Sequence, residues 1–323
     1  MLIRAIIAIA LMSAALIGAP AAAQDFPNKP VRIVVPWPPG GNVDITARTL
    51  QPALSEALGQ PVIVDNRAGA GGTIGTAAVT KSPADGYTLL LGSSGTVTSG
   101  AAVFKNLTYD PLKDLVPIGP IQYVAMVLSA APKTPVSNFA EYLAYARAKP
   151  GQVSIASAGN GSSNHLALEL MMLQAKLKLV HIPYKGSGPA INDLLGSQVE
   201  SMMDQMTASI EHIRNGRIKP LGVTSKTRSP LLPNVPMLDE QGLPGFEAGT
   251  FTGLFAPAGT PQAALDKLHA ALSKALMSEA VRARYRSIGG DVMSMSQAEF
   301  AAFVRSDFEK WRQIARDSNI VID

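Results

Sequence analysis

Two stretches share one pattern, Val31-Arg-Ile-Val-Val-Pro-Trp-Pro-Pro-Gly-Gly-Asn-Val-Asp44 and Gln152-Val-Ser-Ile-Ala-Ser-Ala-Gly-Asn-Gly-Ser-Ser-Asn-His165. Each begins with a short run of strand formers, continues through a turn that contains glycine, and ends at the start of a helix. Such a turn directs backbone N–H groups outward with the positive end of the helix dipole behind them, and these groups bind anions. Two such turns, about a domain's length apart, predict two lobes that hold a small carboxylate in a shared cleft.

The sequence on either side of these two stretches predicts an α/β fold. Strand and helix patterns alternate in each half, which is typical of a mostly parallel sheet flanked by helices. Two further β-runs, Ile118–Ser129 and Thr250–Pro257, are interpreted as the chain crossing to the second lobe and returning. The predicted division assigns 24–124 and 250–323 to lobe 1, and 125–249 to lobe 2.

The N-terminus predicts export from the cytoplasm. A basic start with Arg4, an apolar run and Ala21-Ala-Ala23 form the pattern of a signal peptide over residues 1–23. A membrane anchor is the alternative, but the run is shorter than the ~20 residues that a span needs. Because the chain has no cysteine, disulfides and a lipoprotein anchor are excluded, and a soluble periplasmic protein is expected.

The remaining composition argues against several functions. After cleavage, 27 basic residues face 24 acidic ones without a basic cluster, so nucleic acid is not an expected partner. None of the four histidines forms a metal-spaced pair, and no G-x-S-x-G elbow or P-loop occurs. We therefore expect no metal, no cofactor and no enzymatic activity.

Six motifs along the chain resemble those of the Bug-type solute-binding proteins of tripartite tricarboxylate transporters. They occur in the family's order, cover almost the whole mature chain, and are specific as a set. They are Pro30-Val-Arg-Ile-Val-Val-Pro-Trp-Pro-Pro-Gly-Gly-Asn-Val-Asp44, Asn66-Arg-Ala-Gly-Ala-Gly-Gly72, Ala84-Asp-Gly-Tyr-Thr-Leu-Leu90, Gly159-Asn-Gly-Ser-Ser-Asn-His165, Ile182-Pro-Tyr-Lys-Gly186 and Phe255-Ala-Pro-Ala-Gly-Thr-Pro261.

The resemblance implies a two-lobed periplasmic binding protein of type II, with a two-strand hinge between its lobes. Such a receptor, here expected to be a monomer, closes on a small organic carboxylate and delivers it to a two-component membrane permease. In the family the two turns hold the carboxylate, partly through ordered waters. A sensing role, in which the closed receptor contacts a signalling partner, is the alternative. Phe251 stands where the family more often has Trp, and Asn42 and Val43 fill variable positions.

The candidate site combines both turns with the ends of two other strands. Trp37 is expected to form a wall of the pocket, and Asp44 to orient the first turn by accepting from its N–H groups. His165 could contact the ligand or be structural. Asp204 could be structural or could pair with the cationic group of an amino acid. Dicarboxylates, aromatic acids, nicotinate-like acids and amino acids all stay open as ligands. The candidate ligand-binding residues are Trp37, Gly40, Gly41, Asn42, Asp44, Ser93, Thr96, Ser157, Asn160, Gly161, Ser162, Ser163, His165 and Asp204.

Overall fold

The computed structural model describes residues 26–317, so the predicted signal peptide lies outside the described residues. The strands are β1 (Val31–Val35), β2 (Val62–Asn66), β3 (Thr88–Ser93), β4 (Leu115–Ala130), β5 (Ser154–Ser157), β6 (Val180–Pro183), β7 (Ser201–Gln205), β8 (Lys219–Val223), β9 (Gly249–Pro257) and β10 (Gly290–Val292). The α-helices are α1 (Asn42–Leu58), α2 (Thr73–Thr80), α3 (Ser94–Val97), α4 (Phe139–Ala148), α5 (Ser163–Ala175), α6 (Ser187–Leu195), α7 (Met206–Arg214), α8 (Gln262–Met277), α9 (Glu279–Ser287) and α10 (Gln297–Asp317).

The strands form one continuous sheet in the order β2-β1-β3-β9-β4-β7-β5-β6, and β8 and β10 also pair with β4. Each half of the sheet contains three parallel strands: β1 lies between β2 and β3, and β5 lies between β6 and β7. The strands that cross between the halves are antiparallel to their neighbours. The predicted α/β class, with parallel strands and flanking helices, is confirmed.

Strand β4 connects the two halves of the sheet. Up to Ala125, which lies opposite Gly249, it pairs with β9, and from Met126 onward it pairs with β7. We use "lobe 1" for residues 26–124 and 250–317 and "lobe 2" for residues 125–249, and this division stays a proposal that rests on the change of partner. Because β4 and β9 are the strands that join the lobes, they are the expected hinge.

Helices cover both faces of the lobe 1 sheet. Ile33 is fully buried in the cluster that contains Leu50 and Leu54 of α1, whereas Val34, only 1% exposed, packs in a second cluster with Phe300 of α10. This burial on both faces explains why Ile33, Val34 and Val35 are apolar in succession, whereas Arg32 near the start of β1 is exposed. Helix α1 ends at Gly59, whose φ of 65° is the left-handed conformation that stops a helix.

Three elements differ from the sequence interpretation. The sequence predicts Asn42 as the N-cap of the first helix, but α1 begins at Asn42 and its N-cap is Gly41. Helices α7 and α9 were not predicted, although each buries apolar residues on one face, such as Ile210 of α7 and Tyr285 of α9. Among the helices of residues 26–317, none combines the length and the apolar character needed to cross a membrane.

Candidate functional site

A small cavity lies between the lobes, at the carboxyl ends of the parallel strands. Its volume is about 20 Å³, little more than the space that one water molecule requires. The lobes are therefore closed over it, and a larger ligand needs them to move apart. The cavity is lined by Trp37, Gly41, Asn42, Val43, Ser93, Ala158, Ser163, Asn164, Ser187, Gln205 and Thr250.

Five helices begin at this cavity. Asn42, Ser163 and Ser187 are the first residues of α1, α5 and α6, and Ser93 and Gln205 are the N-caps of the short helix α3 and of α7. The first turn of a helix leaves N–H groups without partners in that helix, and the dipole makes this end positive. Two of these helices, α1 and α3, belong to lobe 1, and the other three belong to lobe 2. Both lobes therefore favour an anion in the cavity.

The lining itself carries no cationic side chain. Within the described part of the chain, the residues around the cavity include no lysine or arginine. Positive potential in the cleft therefore comes from backbone amides and helix ends, which can hold a carboxylate by hydrogen bonds without a buried ion pair.

Two buried donors at the cavity have no partner. The indole Nε1 of Trp37 and the amide Nδ2 of Asn42 find no acceptor among residues 26–317, although the two residues are only 8% and 3% exposed. A buried N–H without an acceptor costs about 1–3 kcal/mol. A bound oxygen acceptor would remove this cost.

Asp44 fixes the first turn from behind. Its carboxylate accepts hydrogen bonds from Gly40 N (3.0 Å), Asn66 Nδ2 (2.9 Å) and Arg48 Nε (2.9 Å). Asn66 Nδ2 also donates to the carbonyl of Trp37 at 3.0 Å. Asp44 does not line the cavity, and these bonds match its predicted role of orienting the turn. The N–H of Gly40 is used here, so in this closed arrangement it faces Asp44 and not the cavity.

The second turn is fixed in the same way by its own side chains. Gly159 N donates to Ser157 Oγ (3.1 Å), and Gly161 N donates to His165 Nδ1 (3.3 Å). Ser162 caps α5, since its Oγ accepts from His165 N at 3.2 Å. These glycine amides are therefore occupied within the turn, and the donors nearest the cavity come from the start of α5.

Asp204 does not line the cavity but lies behind the residues that do, and it bonds two of them. Its carboxylate accepts from Ser187 Oγ (2.6 Å), Asn164 Nδ2 (2.9 Å) and Ser209 Oγ (3.1 Å). Burial raises its pKa to about 6, against the opposing effect of these hydrogen bonds. Because its oxygens already have partners, Asp204 positions two lining residues and offers little to the ammonium group of an amino acid.

The structure brings together part of the predicted site. Trp37, Gly41, Asn42, Ser93 and Ser163 line the cavity. Thr96 instead completes the capping box of α3 with Ser93, and Asn160 is exposed at the contact between the lobes. The predicted residues that do not line the cavity are Gly40, Asp44, Thr96, Ser157, Asn160, Gly161, Ser162, His165 and Asp204.

Sequence reasoning missed most of the lobe 2 wall. Gly186-Ser187-Gly188 repeats the strand, glycine turn and helix pattern of the two quoted stretches, so Ser187 could have been found. Gln205 follows its strand without any glycine, and no signal in the sequence points to it. The lining residues that were not predicted are Val43, Ala158, Asn164, Ser187, Gln205 and Thr250.

Next to the second turn, His165, Glu169 and His181 bring three possible metal-binding atoms within 4.8 Å of one another. The imidazole rings of His165 and His181 stack at 4.2 Å between centroids and at an angle of 10°. Lone pairs of stacked rings lie in parallel planes and do not converge on one ion. His165 Nε2 also lies 3.3 Å from Glu169, and His181 Nε2 lies 2.6 Å from Ser157 Oγ. The arrangement fits hydrogen bonds that stiffen the turn better than a metal centre.

His181 predicts how stability depends on pH. Burial, followed by the nearby His165, lowers its pKa from 6.5 to about 4. Between these two values the unfolded chain binds the proton more readily, so stability is lost as the pH falls through this window. For this partly exposed group the loss is about 1 kcal/mol, or roughly 2–4 °C in melting temperature.

We expect His181→Gln to reduce the drop in melting temperature between about pH 7 and pH 4.5. Asp204 acts in the opposite direction, since its raised pKa favours the folded state at low pH, but it is present in both proteins. The difference between wild type and variant therefore isolates His181. Identical pH profiles in thermal unfolding followed by circular dichroism would refute this assignment.

Comparison with known proteins agrees with this architecture. The family model described as "Tripartite tricarboxylate transporter family receptor" matches residues 46–320. Protein BugT of Bordetella pertussis is 39% identical over 303 residues, which cover 94% of this chain and 93% of that protein.

Two solved structures superimpose closely on the chain. The structure of the periplasmic binding protein BugD has a TM-score of 0.89 and 36% identity, with 92% of this chain and 99% of that chain covered. MatC from Rhodopseudomonas palustris, solved with bound malate, has a TM-score of 0.86 and 34% identity, with 90% and 99% covered.

Proposed function

Because the chain belongs to the receptor family of tripartite tricarboxylate transporters, we propose that it captures a small organic carboxylate between its lobes and delivers it to a two-component membrane permease. In this proposal the protein acts in the periplasm, as a monomer and without catalysis. The contacts come from the residues that line the cavity, and the other predicted residues hold them in place.

One observation carries the proposal: the cleft combines the N-termini of five helices with two buried donors that lack partners among the described residues, Trp37 Nε1 and Asn42 Nδ2. Such a site suits an anion that is rich in oxygen acceptors. Malate, which is bound in MatC, is an anion of this kind.

The available donors are sufficient for useful affinity. Micromolar binding requires about −8 kcal/mol. A hydrogen bond to a charged group contributes about 1.5–3 kcal/mol. Four or five such bonds, after the cost of ordering the ligand and closing the lobes, reach this range without a buried cation.

The carboxylate is tested by removing its charge. We expect a free acid identified in a thermal-shift screen of small organic acids, begun with malate, to bind in calorimetry. Its methyl ester should bind at least about a hundredfold more weakly, since two charge-assisted hydrogen bonds are weakened.

The matching primary alcohol serves as a control for the carbon skeleton and should not bind. Equal affinity for the acid and its ester would exclude the carboxylate as the recognised group. A screen in which no acid raises the melting temperature would contradict the proposed function as a whole.

A further inference from the structure

We propose that Thr207 is a positioning residue that couples ligand capture to closure of the lobes through the side chain of Asn42. This inference rests on the proposed function. Asn42 belongs to α1 in lobe 1 and Thr207 to α7 in lobe 2, and the two are 3% and 4% exposed. Thr207 Oγ1 donates to Asn42 Oδ1 at 2.7 Å, so the bond joins the lobes directly at the cavity.

The orientation of the Asn42 amide follows from its neighbours. Gln122 Nε2, which donates to Thr46 Oγ1 at 2.6 Å, also lies 3.5 Å from Asn42 Oδ1. If the amide were flipped, its NH₂ group would face this Gln122 donor, and two donors would oppose each other. The carbonyl oxygen of Asn42 is therefore directed at Thr207 and Gln122.

The same orientation determines what Asn42 offers to a ligand. With its oxygen occupied, its Nδ2 is left buried without an acceptor among the described residues, and Asn42 lines the cavity. A carboxylate oxygen of the ligand supplies that acceptor. One side chain thus binds the ligand through its nitrogen and the opposite lobe through its oxygen.

This arrangement couples the two events. When the lobes separate, Thr207 leaves and the Asn42 amide is free to turn and to be hydrated. A ligand that accepts from Nδ2 fixes the amide with its oxygen toward lobe 2, which favours closure. By linkage, closure favours the ligand to the same extent. A threonine that only stabilised the first turn of α7 would not couple ligand binding to closure of the lobes.

The test uses the full mature chain with Thr207→Val, which replaces the hydroxyl by a methyl group of similar size, and with Thr207→Ser, which restores it. Thr76→Val is the control, because Thr76 is also buried and helical but donates within its own lobe, to Gly72 O at 2.9 Å. Malate, adipate and benzoate are the probes. Affinity and dissociation rate are measured, and small-angle scattering reports compaction.

We expect Thr207→Val to bind the tightest of these probes about tenfold more weakly, mainly through faster dissociation, and to compact less when saturated. Thr207→Ser should return to within about threefold of the wild type, and Thr76→Val should bind and compact as the wild type does. If Thr207→Val folds poorly, Thr207→Ala is measured in its place, since alanine suits any helix.

The inference is overturned if the wild type binds a probe and Thr207→Val or Thr207→Ala binds it with the same affinity and compaction. It is also overturned if Thr207→Ser fails to restore binding. If the wild type binds none of the three probes and no other acid, the proposed function itself fails, and the two failures are thus distinguishable.

Discussion

Gly188→Ala is expected to unfold with about the stability of the wild type and to bind organic acids about tenfold more weakly, because the added methyl group obstructs closure of the lobes. Gly188 is the second residue of α6 in lobe 2. A Cβ at this position would lie 2.9 Å from the carbonyl oxygen of Pro39 in lobe 1, which is its only close contact beyond its chain neighbours and the backbone of its own helix. The clash therefore exists only when the lobes are closed.

The surroundings of Gly188 make this clash hard to relieve. Pro39 belongs to the turn Pro36–Gly41, in which three prolines restrict the backbone. In the open state the added methyl group has no contact with lobe 1. Pro189 follows Gly188, and a Cβ before proline disfavours the helical backbone, which offsets the advantage of about 1 kcal/mol that alanine has over glycine in a helix. Stability should therefore change little while affinity falls, a combination that general damage to the fold does not produce.

Gly196→Ala is the matched control at the other end of α6. A Cβ there has its nearest contacts at 3.5–3.7 Å, to Asn192, Asp193 and Gln198 of the same lobe. Calorimetry with the best acid from the screen, and scattering with and without it, compare the two variants. Gly188→Val should weaken binding by a further factor of about ten. Wild-type affinity and full compaction in both Gly188 variants would show that the lobes need not approach this closely when they bind.

Sequence patterns were sufficient for the parts of this fold that depend on local order. The strand, glycine turn and helix of Val31–Asp44 occur as predicted, and Ala47, Leu50 and Leu54 form the buried face of α1. The β-run at Thr250 is a strand, as predicted, and it pairs with β4 in the sheet. These features are set by periodicity and turn chemistry within one segment.

The site was only partly predictable, because half of it depends on contacts between distant segments. Gln205 lines the cavity and Thr207 bonds Asn42 only because of the placement of β7 and α7, and neither residue has a local motif. Similarly, nothing in the sequence indicates that the amides of Gly159 and Gly161 are used by Ser157 and His165. Hydrogen bonds of this kind become visible only in three dimensions.

The glycines of the two turns also show what the sequence cannot predict. In the sequence, Gly41 and Gly161 occupy equivalent positions, and a valine at either is expected to abolish binding. In the structure a Cβ at Gly41 would meet Ser187 Cβ at 3.7 Å, which is an ordinary contact. At Gly161 it would overlap the ring of Phe104 in lobe 1, and φ is +74°. The two positions are therefore not equivalent, because only Gly161 combines a positive φ with a close contact to the opposite lobe.

Asp44→Ala is expected to lower the free energy of unfolding by about 3 kcal/mol and to reduce ligand affinity at least about a hundredfold. The Asp44 side chain is 4% exposed and accepts from Gly40 N, Asn66 Nδ2 and Arg48 Nε. Its removal leaves the Gly40 amide without its acceptor and releases Asn66, which also holds the carbonyl of Trp37. The turn that presents Trp37 and Asn42 to the cavity then loses its fixed shape, so binding suffers as well as stability.

Two further variants separate the effect of the Asp44 hydrogen bonds from the effect of its charge and from the loss of any surface carboxylate. Asp44→Asn keeps one acceptor oxygen but removes the charge opposite Arg48, so it should retain more stability and affinity than Asp44→Ala. Glu309→Ala is the control, because Glu309 belongs to an exposed pair with Arg312 at 2.7 Å, and it should change the unfolding free energy by less than about 1 kcal/mol. Urea unfolding and calorimetry with the same acid give both quantities. An Asp44→Ala protein that loses stability but binds with wild-type affinity would show that the turn keeps its shape without this carboxylate, and that the charge of Asp44 contributes to the fold alone.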